Sequence, residues 1–211
     1  MCLEPTQSNV KKIKILLLAA ALLGATSAYA QQDWNVSVGY SANAFRGADC
    51  SSFMSTHSLN GFYAGVRHEF YFSALAGLTF EPGLLFCYQS GRNDANVKPK
   101  FIKMHYLSVP MDVKYTFSIA NGATGSFFTG PVFNVGLFGN LYENGNFVTV
   151  KDLEDPMHKL TRASLQWGFG LAFTVADAVQ LRASYALGVS RLIPEQELHA
   201  NTLSVGLGLL F

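Results

Sequence analysis

Downstream of residue 30, this 211-residue chain has no run approaching the roughly 18 to 20 consecutive apolar residues that a membrane-spanning helix needs, although its apolar content is 49%. Helical spans are thereby excluded for that part of the chain. Charge of one sign is missing too: the formal net charge is +1, so no basic excess points to nucleic acid and no like-charge run points to a disordered tail. No phosphate-binding loop, dinucleotide fingerprint or thiol redox motif occurs, and nothing calls for a cofactor or metal. Cysteine is scarce, with three residues, of which Cys2 lies at the very start.

What is present begins with a leader. Lys11, Lys12 and Lys14 precede an apolar run over residues 15–23, and Ala28-Tyr29-Ala30 supplies small residues before Gln31. This is the pattern of a secretory signal peptide over residues 1–30, too short in its apolar part to anchor a membrane protein. The cleavage region holds no cysteine to lipidate. Its removal takes away three Lys and one Glu, leaving 12 basic and 13 acidic residues in a mature domain of residues 31–211.

That domain reads as alternating segments. Residues 201–211 set Leu203, Val205, Leu207, Leu209 and Phe211 on one face and Thr202, Ser204, Gly206 and Gly208 on the other. Similar alternation occurs over residues 34–44, 59–70 and 75–88, over a fourth segment carrying Leu107 to Phe117 on its apolar face, and over 126–138, 162–173 and 179–189. Long polar connections (46–57, 90–100, 139–157, 191–198) alternate with short turns near 71–74, 120–123 and 176–178. Pro82 removes a ladder donor in mid-strand and leaves the local register open.

Eight such strands, with alternating short and long connections, predict an all-β fold: an eight-stranded antiparallel up-and-down transmembrane β-barrel. A closed barrel is the other way, besides helices, to satisfy backbone polar groups in lipid. A soluble lipocalin-like barrel would show the same period with its faces exchanged. The leader, the aromatic Phe211 and the large aromatics on the apolar face favour the membrane form. On that reading both termini face the periplasm, the long loops face outward, and aromatic rings gather at the two headgroup levels.

The run Tyr106-Leu107-Ser108-Val109-Pro110 followed by Lys114-Tyr115, with Glu81 in the preceding strand and Gly130-Pro131 in the next, resembles the PorT-like outer-membrane barrel family of Bacteroidetes-type bacteria. The resemblance implies an OmpA- or OmpX-like eight-stranded barrel in the outer membrane and carries no catalytic residues. Phe211, as a terminal aromatic on an alternating strand, resembles the signal by which barrel-assembly machinery recognises its clients.

Candidate functional residues follow from the inward face. Arg67, Lys114, Arg162 and Arg182 share it with Glu69, Glu81 and Asp112, and such groups in a narrow barrel are expected to pair as an interior charge network. A plugged interior is the structural reading; an ion-selective pore, or acid and base work by Glu81 and Asp112, is the functional one. His57, His105, His158 and His199 fall near the outer strand ends without close metal-ligand spacing, and His68 falls at the other interface. Ser51, Ser52, His57 and His105 could be assembled into a hydrolase on lipid A or peptides, a weak signal in a chain with many serines. Cys50 and Cys87, the two cysteines left after leader removal, could form a disulfide across the barrel mouth in the oxidising envelope. The expected function is a non-enzymatic barrel in contact with outer-membrane lipid and lipopolysaccharide, whose external loops meet an envelope or host protein.

Overall fold

The computed structural model describes residues 34–46, 58–72, 75–92, 101–143, 146–149, 163–191 and 199–211. They form ten strands and no helix: β1 (Trp34–Arg46), β2 (Ser58–His68), β3 (Phe70–Tyr71), β4 (Leu78–Arg92), β5 (Phe101–Ala120), β6 (Ala123–Glu143), β7 (Asn146–Thr149), β8 (Ala163–Val175), β9 (Val179–Gly188) and β10 (His199–Leu210). β2 and β3 are one stave of the wall, interrupted at Glu69: Arg67 lies opposite Gly83, and Phe70 lies opposite Phe80, in the same register. β7 pairs only with the end of β6. The remaining strands close into an eight-stranded antiparallel barrel when β1 pairs with β10. Beyond the last of these pairs, Trp34 N–H donates to the Phe211 carbonyl (3.1 Å) and Phe211 N–H to the Trp34 carbonyl (3.0 Å).

Paired positions trace the stagger of the wall. The line Phe70, Phe80, Val113, Thr129, Phe169, Tyr185, Leu203, Ala42, Asn60 runs once round and returns to its own stave at residue 60, ten residues from where it left. Such a shear tilts the strands and leaves an interior that side chains can fill. Val38, Leu84, Phe127, Leu171 and Leu207 are exposed on the outside, whereas Glu81, Asp112, Lys114 and Arg182 are buried within. This resolves the orientation that alternation alone leaves open: the apolar face is the outer one. Thr129, a hydroxyl on the outer face, accepts from Trp167 Nε1 (3.0 Å) and donates to the Gly168 carbonyl (2.9 Å), so it presents no unmet group.

Rings mark both rims. At the mouth beside Trp34 and Phe211, His68 lies between Trp34 and Phe70, with centroids 4.5 Å from each. At the opposite mouth Phe62, Tyr88, His105 and Phe138 form a connected row on the outside of β2, β4, β5 and β6. The β8–β9 turn is tight: three residues separate the Val175–Val179 pair, Ala176 and Asp177 both stand at φ 53°, and Ala178 N–H donates to the Val175 carbonyl.

Several boundaries differ from the sequence pattern. The third strand begins at Leu78 rather than residue 75, because Leu75–Gly77 belong to a turn closed by Leu75 N–H to the Phe72 carbonyl and Leu78 N–H to the Leu75 carbonyl. β6 continues to Glu143 and folds back into β7, where alternation suggested a loop from residue 139. The cause is a bulge: His105 pairs with Phe138 but Tyr106 pairs with Gly136, so Leu137 and Phe138 both point outward and the period of two breaks there.

Candidate functional site

The inward face gathers six ionised groups from four staves. Glu81 on β4 and Asp112 on β5 are direct cross-strand neighbours, an arrangement of two like charges that a shared cation stabilises. Arg182, reaching over from β9, supplies it: Nη1 donates to Glu81 Oε2 (2.7 Å) and Nη2 to Asp112 Oδ2 (2.5 Å). The guanidinium carbon also lies 3.5 Å from the centroid of the Phe128 ring, a cation–π contact between two buried side chains. Lys114, two residues beyond Asp112 on the same face, pairs with Glu69. Arg67 is different. Its Nη1 donates to Ser37 Oγ (2.6 Å), its Cζ stands 5.9 Å from the Tyr63 ring, and it has no ion-paired carboxylate among the described residues. The buried atoms Arg67 Nε and Glu81 Oε1 lack a hydrogen-bond partner among the described residues.

Three cations and three carboxylates make the described interior electrically balanced, which is what a low-dielectric site requires. Arg162 lies outside the described residues, so its place in the network is not given. Below the ion pairs, Asn35 Nδ2 donates to Gln180 Oε1 (2.8 Å) and Gln180 Nε2 to Thr174 Oγ1 (3.2 Å), linking β9 to two further staves, β1 and β8. Two spaces remain. A cavity of about 60 Å³ lies on the long-loop side of Arg182 and Asp112, and a wider recess of about 470 Å³ opens at the Trp34 mouth, walled by Lys114, Glu69 and a set of Thr and Ser hydroxyls. The two charge clusters separate them.

With the closed antiparallel wall, the apolar outer band and the polar core in place, one comparison decides the class. Residues 16–211 match the family described as outer membrane protein beta-barrel domain. The chain belongs to that family. Its place is accordingly the outer membrane. Among solved structures, the outer membrane enzyme PagL is similar at a TM-score of 0.52 and 11% identity, over 82% of this chain and 97% of that one. Neisserial surface protein A (0.48, 14% identity, 84% and 97% covered) and the attachment invasion locus protein Ail of Yersinia pestis (0.47, 17%, 86% and 100%) are also found. At these identities the likeness is one of fold. No curated protein matches the chain in sequence.

The remaining candidate residues of this outer-membrane barrel are scattered. His105 stacks on Phe138 at 4.2 Å on the lipid side, far in character from a serine hydroxyl or a carboxylate. His199 Nδ1 meets the Ser190 carbonyl at 3.1 Å. Ser51, Ser52, His57 and His158 lie outside the described residues. Cys87 carries a free thiol, buried with Tyr63, Leu85 and Tyr106. Cys50, the other half of the Cys50–Cys87 bond that the sequence suggests, also lies outside the described residues. Sequence reasoning missed Phe128, Ser37, Asn35 and Gln180. Only the fold shows that Gly170, whose added Cβ would run into the Phe128 ring, leaves the space for it.

Proposed function

We propose that this protein is a non-enzymatic outer-membrane barrel with a plugged polar interior, which contacts surface or envelope partners through its long-loop mouth. The observation that carries the reading is the pair of charge clusters standing between the 60 Å³ cavity and the 470 Å³ recess. A second observation favours the loop mouth as the working end: β5 and β6, at 20 and 21 residues, outreach β8 and β9, at 13 and 10, and β7 adds to them there. The termini then face the periplasm, the mature domain follows cleavage after Ala30, and the strand motifs around Tyr106–Pro110 support a place among PorT-like barrels.

Two rival readings have their own tests. A narrow channel predicts steady conductance in planar bilayers; the expected result for the intact protein is none, and a steady open level would overturn the plug. A rim hydrolase on lipid A or peptides needs an orienting carboxylate by its histidine. Among the described residues the neighbours of His105 are Phe86, Tyr88 and Phe138 instead. Incubating the purified barrel with lipid A should therefore release no acyl chain. Cross-linking intact outer membranes, then comparing captured partners between the native chain and one whose β7–β8 connection is replaced by a short turn, tests the loop reading: identical capture by both would refute it.

A further inference from the structure

Three prolines stand in neighbouring strands of the closed wall, where each removes a backbone donor: Pro82 on β4, Pro110 on β5 and Pro131 on β6. Beside each, the ladder lapses. Pairing stops between Arg67–Gly83 and Phe70–Phe80. It stops again between Leu85–Ser108 and Pro82–Met111, and between Pro110–Val132 and Val113–Thr129. The three lapses adjoin one another within the apolar band, since Leu84, Met111, Val113 and Phe133 around them are exposed on the outer surface. In a bilayer the wall has no other source of partners for the freed carbonyls, so this line is where strand separation costs least.

The cavity behind it is mixed in character. Leu85, Pro110, Phe128 and Val132, from the same three strands, give its wall an apolar patch beside Ser108, Asn134 and Asp112, with Ser41, Ser184 and Ser204, from β1, β9 and β10, and the Arg67 and Arg182 side chains completing the lining. Gly83 contributes to the thin wall: a Cβ there would meet the Pro110 ring at 3.1 Å. We propose that the wall of β4, β5 and β6 opens sideways along this proline line, and that the cavity receives the apolar tip of a membrane-dissolved amphiphile from the bilayer. A volume of about 60 Å³ suits the end of a chain rather than a whole lipid.

Cys87 lines the cavity and reports on it. In a C50S background, with the folded protein in phospholipid vesicles, thiol modification is followed by mass with two methanethiosulfonates. One carries an octyl chain and partitions into the bilayer; the other carries a trimethylammonium group and stays in water. The octyl reagent is expected to react the faster. Pro82→Val with Pro131→Val, which leave the cavity lining untouched, should slow it roughly fivefold per hydrogen bond regained, with the charged reagent unchanged. Pro82→Ala with Pro131→Ala serves if the valines disturb folding, checked by heat-modifiable migration. Faster reaction with the charged reagent would show entry through a mouth, and equal octyl rates in native and variant protein would show that the prolines gate nothing; either overturns the proposal.

Discussion

Replacing Arg182 by Met should lower the stability of the barrel by about 3 to 5 kcal/mol, read as a shifted urea midpoint in lipid or detergent. The side chain is buried and holds two carboxylates, Glu81 and Asp112, which sit opposite each other across one ladder. Its removal leaves both buried charges facing one another without a counter-charge, and it strips the cation from the Phe128 ring. Arg67→Met is expected to be milder, about 1.5 to 3 kcal/mol, because Arg67 gives up one hydrogen bond to Ser37 rather than an ion pair. Adding Glu81→Gln to Arg182→Met should recover part of the loss, since the neutral amide needs no counter-charge. Equal midpoints for Arg182→Met and the native protein would show that these groups are hydrated, and would bring back the pore that the plug otherwise closes.

Gly39→Val is expected to have the other large effect, about 3 kcal/mol or more, at the upper end of what overpacking produces. Gly39 faces Gly206 across the β1–β10 ladder that closes the barrel, and the Tyr63 ring lies over the pair. An added Cβ would stand 2.6 Å from both the Gly206 Cα and Tyr63 Cε1, and one of those is backbone that cannot swing aside. Loss of heat-modifiable migration or a sharply lower urea midpoint would be the sign. Gly122→Ala makes the contrast: nothing lies within 4 Å of its Cβ, and its φ of 74° alone sets the cost, about 1 to 2 kcal/mol for an L residue in that region. A Gly39→Val barrel as stable as the native one would show that Tyr63 has room to turn away.

Alternation over eight segments, set by the pleat, was enough to foresee the strands, their number and the contents of each face. The inward grouping of Arg67, Glu69, Glu81, Asp112, Lys114 and Arg182 was legible for the same reason. It failed at Leu75, where a turn borrows an apolar residue, and at Leu137–Phe138, where a bulge shifts the period and β6 runs on. Local pattern also says which way a side chain points but not what it meets.

The partners were therefore decided by the tertiary structure alone. Arg182 and Glu81 are brought together by the barrel's closure and stagger, which no spacing along the chain encodes. The same stagger gives Lys114 to Glu69 and leaves Arg67 with Ser37. It also aligns Pro82, the strand irregularity that the sequence pattern singles out, with Pro110 and Pro131 into one line beside the cavity. The sequence by itself determined the faces of the strands, because side-chain direction repeats every second residue. Which residues meet across the interior depends on the register of every ladder around the wall, and that is a property of the closed barrel.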